Sequence, residues 1–291
     1  MIEKYLNYLK HVKRYSANTV RSYEQELTQY QAFIQDKCDL LKIDHQIVKD
    51  YLVYLNQKYK NKNTISKKLT TIRAFYQYLV REEIITSNPY AEINNPKKDK
   101  KLPRFVKQDQ LDKMFQVPDM KNPLGQRNRL ILEMLYATGI RVHELVTIKV
   151  KDIDFHNQTI KILGKGSKER IVVFGHICND VLNIYLKDGY QILNKKNSDY
   201  LFLNHYGNPI TERSIRNILN DIIIKSSLDL HISPHVLRHT FATDMLNNGA
   251  DLISVKDLLG HESLNTTSIY THVSNEQIKK IYELAHPRAK E

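Results

Sequence analysis

Cysteine is almost absent from this chain, and long apolar runs are missing altogether. Cys38 and Cys178 are the only thiols in 291 residues. They lie far apart and in segments unlike metal knuckles, so neither a disulfide framework nor a cysteine zinc site is expected, and a reducing compartment, the cytoplasm, suits such usage. No stretch approaches the roughly 18 apolar residues of a membrane span. The N-terminal MIEKYLNYLKHVKRY interrupts its apolar positions with Lys and Glu, unlike a secretory leader. Acidic residues are also in deficit. There are 32 Asp plus Glu against 44 Lys plus Arg, a net charge of +12, which favours a polyanionic partner with nucleic acid first among them. Charge alone defines no site.

The chain is long enough for two domains, each with its own core. Up to residue 86 the spacing of apolar residues predicts four helices. Leu6, Leu9 and Val12 mark the first, and Val20, Tyr23, Leu27 and Tyr30 the second. Ile47, Val48, Tyr51, Leu52 and Leu55 mark the third, and Ile65, Leu69, Ile72, Phe75, Tyr76 and Leu79 the fourth. Ser16, Asp44 and Asn63 are the expected N-caps of the later three. Over residues 87–106 the periodicity stops, and SNPYAEINNPKKDKKLPR carries three prolines with Lys97, Lys98, Lys100, Lys101 and Arg104. This reads as an interdomain linker. Taken alone, its charge fits a solvated run as well as a strap along a phosphate backbone.

A second domain over 107–291 opens with helical spacing (Leu111, Met114, Phe115, then Leu130, Ile131, Met134, Leu135) and a helix stop at Gly139. The period then changes. Ile153 and Phe155, Ile160 and Ile162, and Ile171 and Val173 alternate with other residues around turns at His156-Asn157 and Gly164-Lys165-Gly166, which predicts three short antiparallel strands. Helical spacing returns near Val181 and continues to Tyr282, with a break at LNHYGNPIT. The expected fold is therefore mainly α: a small helical bundle, then a mostly helical domain with a three-stranded antiparallel sheet.

Four segments carry chemistry: ATGIRVHEL (137–145), LGKGSKER (163–170), SPHVLRHTFATDML (233–246) and LLGHESLNTTSIYTH (258–272). Pro234 suits a first helical turn, so His235 and Arg238 project from one face near a helix N-terminus, where an anion is favoured. Arg141 follows the glycine stop, and Lys165 sits between glycines at a hairpin tip. His235 and His239 have the i, i+4 spacing of a helical zinc site, with His261 as a third ligand. The glutamate of H-E-x-x-H is missing, however, and two neighbouring arginines repel a dication. GKGS lacks the remainder of a phosphate loop, which excludes a nucleotide hydrolase of that type. Neither glycine nor Tyr270, one of 18 tyrosines, means anything alone.

Together these segments resemble the tyrosine recombinase family, whose signature runs Arg, hairpin Lys, His-x-x-Arg, His, Tyr. Arg141, Lys165, His235 with Arg238, His261 and Tyr270 match it in order, with Glu144 and His239 in supporting positions. The resemblance extends over the whole chain, and within the family the bacterial Xer branch is the most similar, in GADLISVKDLLGHESLNTTSIYTHVS and AHPRAKE above all. It implies a SAM-like core-binding domain and a catalytic domain closed as a C-shaped clamp on double-stranded DNA. It also implies a 3′-phosphotyrosyl intermediate, no metal, cofactor or ATP, and a tetrameric synapse exchanging C-terminal helices such as NEQIKKIYELAHP. Partners would be a second Xer-type recombinase and a septal DNA translocase, in chromosome dimer resolution at cell division. A phage or mobile-element integrase and a type IB topoisomerase share this chemistry, and a non-catalytic DNA-binding regulator would share the charge.

The chemistry the resemblance implies is physically coherent. Forked arginine donors match a phosphate whose charge spreads over its non-bridging oxygens during displacement. Tyr270, with an ordinary pKa of about 10, needs to lose its proton in attack, with His235 as acceptor and His261 bonded to the phosphate. The 5′ oxygen leaves poorly unless protonated, a role for Lys165 as general acid. Lys165→Ala should accordingly slow cleavage of an ordinary strand yet spare one with a 5′-thiolate leaving group. Equal damage to both substrates would remove Lys165 from the acid role.

Overall fold

The computed structural model describes residues 1–97, 105–164, 169–229, 232–260 and 275–289, with 275–278 described by backbone alone. The chain divides into two compact units, Met1–Lys101 and Leu102–Glu291. The described residues form a mainly helical fold with one three-stranded sheet. None of their helices is long and apolar enough to cross a membrane.

The first unit holds α1 (Ile2–His11), α2 (Ala17–Ile34), α3 (His45–Lys58) and α4 (Lys62–Arg81). Ser16 and Asp44 cap α2 and α3 as expected, accepting from the backbone N–H of Thr19 and Ile47. The cap of α4 is Asn61, whose side chain accepts from the Asn63 N–H, so Asn63 already lies inside the first turn. In α1 the buried residues are Tyr5 and Leu9, and Val12, past the last turn, is 67% exposed. Tyrosines fill the centre. Tyr90, Tyr30 and Tyr76 relay hydroxyl bonds of 3.0 and 3.2 Å to the Leu40 carbonyl at 2.9 Å, so each buried hydroxyl is satisfied. Tyr90 belongs to the chain after α4, which Arg73 fastens through the Tyr90 carbonyl at 3.1 Å.

The second unit is built around α6 (Pro123–Thr138), which is buried on nearly every face, its buried Gln126, Arg127 and Glu133 each hydrogen-bonded within the unit. Around it lie α5 (Gln108–Gln116), α7 (Val142–Leu145), α8 (His176–Lys187), α9 (Gly189–Leu193), α10 (Glu212–Lys225) and α11 (Pro234–Asn247). Strands β1 (Ile153–Asp154), β2 (Thr159–Leu163) and β3 (Glu169–Val173) pair antiparallel in chain order. The register pairs Ile160 with Val172 and Ile162 with Arg170. Cross-strand partners share a face, so Val172 and Arg170 point with the buried isoleucines while Ile171 is 43% exposed. Ile171 and Val173, the alternating apolar pair of this strand, thus face away from Ile160 and Ile162. Val173 is buried on the opposite side, in a second core with Phe241, Met245, Leu258 and Tyr282. Phe155 is 39% exposed because β1 ends at Asp154, which caps the following turn through the Asn157 N–H at 2.9 Å.

That second core joins α11, α12 (Leu252–Leu259) and α13 (Asn275–Ala285). α13 lies in the segment NEQIKKIYELAHP, and Asn248 donates to its Ala285 carbonyl at 2.8 Å. Just beyond α13, His286 is buried against Tyr282, stacked at 4.8 Å and 7°, and against Tyr136 and Phe241 at 5.0 and 5.4 Å. Burial drives its pKa down to about 3, with Arg288 adding to the shift and the Tyr136 backbone opposing it. The unfolded chain then binds a proton, near the ordinary value of about 6.5, that the native state refuses until about pH 3. Stability from this group is therefore complete above about pH 6.5 and falls as the pH drops through that window. Glu133, whose pKa is raised by burial against the pull of Arg288 and Arg129, contributes with the opposite sign. His286→Phe should remove up to ~1.4 kcal/mol per pH unit of acid sensitivity. Thermal melts of both proteins between about pH 6.5 and 4 check this, and parallel slopes would refute it.

Candidate active site

The site begins where α6 stops. Gly139 takes the left-handed conformation at φ 58°, and a Cβ there would lie 2.6 Å from Cδ1 of Phe241. The chain turns, and Arg141 becomes the extended N-cap of α7. Its backbone N–H donates to Oε2 of Glu144 at 2.7 Å, and its Nη1 to Oε1 at 3.2 Å. The Glu144 side chain is 0% exposed. Arg170, reaching across from β3, donates Nη1 to Oε1 at 2.7 Å and Nη2 to Oε2 at 2.9 Å, a forked pair. Burial pulls the Glu144 pKa up, but the Arg170 bonds, the Arg141 N–H and both positive charges more than reverse this, and the carboxylate stays ionised.

Arg238 comes in from α11. Pro234 occupies the first turn of that helix, where its missing N–H costs nothing. One turn later Arg238 is buried, donating Nη1 to the Gly139 carbonyl at 2.5 Å and Nη2 to the Leu259 carbonyl at 2.6 Å. Those carbonyls belong to the C-terminal ends of α6 and α12, where the helix dipole is negative and a cation is favoured. Burial lowers the Arg238 pKa to about 10, with the charges of Arg141 and Arg170 adding and Glu144 opposing. At neutral pH the guanidinium is still protonated.

The turn at Gly139 thus brings Arg141, Glu144 and Arg238 together. His235 lies one turn before Arg238 and is exposed, as is His239 one turn beyond His235. Lys165, His261 and Tyr270 lie outside the described residues, and so do Lys98, Lys100, Lys101 and Arg104, while Lys97 is exposed. α12 closes on the left-handed Gly260, directly before His261. Arg170 was not singled out in the sequence. Its signal was parity: two residues before Val172, it shares the face that Ile160 and Ile162 bury.

The family model "Phage integrase family" matches residues 104–277, and "Phage integrase, N-terminal SAM-like domain" matches residues 2–83. The chain belongs to the phage integrase family of tyrosine recombinases. This tyrosine recombinase is similar to proteins named Tyrosine recombinase XerC. The one from Bacillus pumilus (strain SAFR-032) is 43% identical over 295 residues, covering 99% of this chain and 97% of the relative. That of Oceanobacillus iheyensis is 44% identical over 294 residues, with 99% and 96% covered. Among solved structures, XerH site-specific recombinase bound to palindromic difH substrate in a post-cleavage complex is 25% identical with a TM-score of 0.70, covering 97% of this chain and 83% of that one. The Tn1549 transposon integrase in complex with a circular intermediate DNA, 18% identical with a TM-score of 0.71 over 97% and 98% of the two chains, shares the fold. Membership makes the chain an enzyme of site-specific recombination, cutting and rejoining DNA strands.

For this tyrosine recombinase, Gly139 is the hinge of the arginine pair. Gly139→Ala should cost more than Gly249→Ala, which has a left-handed φ of 93° but nothing within 4 Å of a new Cβ. The control carries only backbone strain, on the order of 1 kcal/mol, and Gly139→Ala adds the Phe241 collision. Urea unfolding of the two variants reads the difference, and equal midpoints would show that the collision is relieved at no cost.

Proposed function

We propose that this recombinase resolves chromosome dimers at cell division, with Tyr270 as nucleophile and Arg141, Lys165, His235, Arg238 and His261 around the attacked phosphate. The observation that supports this best is the meeting of Arg141 and Arg238 at one turn, with an ionised Glu144 set behind Arg141. Two cations held before substrate arrives can stabilise a pentavalent phosphate without reorganising. Tyr270 Oη bonds to phosphorus while His235 takes its proton, and the 5′ oxygen leaves with a proton from Lys165. His261 hydrogen-bonds the phosphate. The 3′-phosphotyrosyl ester retains the bond energy, so the 5′-hydroxyl of another strand reverses the step without ATP.

The partner in this reading is a double-stranded recombination site, gripped by the helical domain (1–86), a basic linker (87–106) carrying Lys97, Lys98, Lys100, Lys101 and Arg104, and the catalytic domain (107–291). Four protomers form the synapse, shared with a second Xer-type recombinase, in the cytoplasm beside a septal DNA translocase. The support is likeness to XerC-named relatives over nearly their whole length and to a XerH structure bound to difH substrate. Incubation with genomic fragments and mapping of protease-sensitive adducts tests it. The wild type should yield adducts at one chromosomal locus, and Tyr270→Phe should bind the same fragment and yield none. Adducts from the mutant would assign the nucleophile elsewhere, and adducts scattered over the genome would sink site-specific resolution.

A further inference from the structure

The geometry points to Arg170 as a positioning residue that neutralises Glu144 and so leaves the charge of Arg141 free for the phosphate. This inference rests on the recombinase reading above and deepens it. Three bonds from guanidinium groups reach the Glu144 carboxylate, and the two from Arg170, at 2.7 and 2.9 Å, are shorter than the one from Arg141 at 3.2 Å. Arg170 takes both oxygens with its fork, while Arg141 touches one oxygen with a single nitrogen. The main counter-charge of the buried carboxylate is therefore Arg170, whose side chain is 17% exposed, and the Arg141 side chain is left 29% exposed.

The surroundings of Arg170 fix it in that job. Its place opposite Ile162 turns it to the buried face of the sheet. A Cβ on Gly260 would lie 2.8 Å from its Nε and 3.0 Å from its Cζ, so the glycine that ends α12 lets the guanidinium pass beneath the turn. Among the described residues Nε has no hydrogen-bond partner. Arg170 thus ties together three segments that carry proposed site residues: the turn with Arg141, the hairpin with Lys165, and the turn before His261.

Without Arg170, Glu144 would be a buried carboxylate with Arg141 as its remaining guanidinium partner. A buried carboxylate draws its counter-charge inward, so Arg141 would be pulled into a full ion pair and the phosphate would face one positive charge fewer. Covalent adduct formation on a DNA recombination site measures this, using two substrates: an ordinary phosphodiester, and a methylphosphonate at the cleaved position, where a methyl group removes the phosphate charge. On the ordinary substrate Arg170→Ala should lose about tenfold or more in adduct rate, the effect of losing one charge contact. On the methylphosphonate its loss should shrink, as should that of Arg141→Ala. Adding Glu144→Gln to Arg170→Ala should recover much of the ordinary-substrate rate, because the unmatched anion is gone. Equal losses on the two substrates, or a deeper loss in the double variant, would reduce Arg170 to a structural brace and overturn the inference. Should Arg170→Ala fail to fold, as circular dichroism would reveal, Arg170→Lys makes the same comparison with one donor in place of a fork. Absence of adducts from the wild type itself would sink the recombinase reading and this inference with it. Wild-type adducts with uniform Arg170 losses sink the inference alone.

Discussion

A single buried carboxylate sets the conditions for the rest of the second unit. Glu144 cannot sit at 0% exposure without donors and positive charge arranged around it, because an ion removed from water costs several kcal/mol unless paired and bonded. Meeting that demand fixes the start of α7 through the Arg141 N–H and the edge of the sheet through Arg170. Gly139, two residues before Arg141, then holds Arg238 through its carbonyl. The arrangement keeps three guanidinium groups close together around one anion, which is stable only while something spreads their charge. Glu144 does so from behind, and the helix ends at Gly139 and Leu259 do so beside Arg238.

The same solution recurs in α6. Glu133 is fully buried and bonded at 2.9 Å by both Arg129 and Arg288, the latter arriving from the C-terminal end of the chain with its guanidinium 3.7 Å from the Phe115 ring centroid. It is less complete than at Glu144, since Oε2 of Glu133, Nε of Arg288 and Nε2 of His286 have no hydrogen-bond partner among the described residues. The C-terminal segment is thus held by the Arg288–Glu133 ion pair together with apolar packing and ring stacking, with some of its polar groups left unmet.

Much of this is legible in the amino-acid sequence. Apolar spacing locates α2, α3, α4 and α6 because each buries one stripe or all of itself, and glycine and proline at 139 and 234 mark helix ends through backbone geometry alone. The failures are equally physical. Asn61 and Asn63 both suit an N-cap, and only the true start of α4 decides between them. In β3, all four residues after Glu169 offer apolar or long side chains, so parity can be read either way. A one-residue change of parity moves every side chain to the other face, which hid Arg170. No local pattern signals that a glutamate in a four-residue helix is the buried centre of an arginine cluster, because its partners lie on other elements.

The bond from Arg238 to the Gly139 carbonyl spans 99 residues, and its companion to Leu259 another 21. The placing of Arg238 beside Arg141 is therefore a property of the closed chain. A nascent polypeptide with α6 and the sheet already emerged from the ribosome holds the Gly139 carbonyl but still lacks Arg238 and its second anchor at Leu259, and gains them only once residues near 260 are free to pack. For an enzyme that cuts DNA strands, the arginine cluster is thus assembled only after residues near 260 have been made. A product truncated before residue 238 has neither that arginine nor the contacts that hold it.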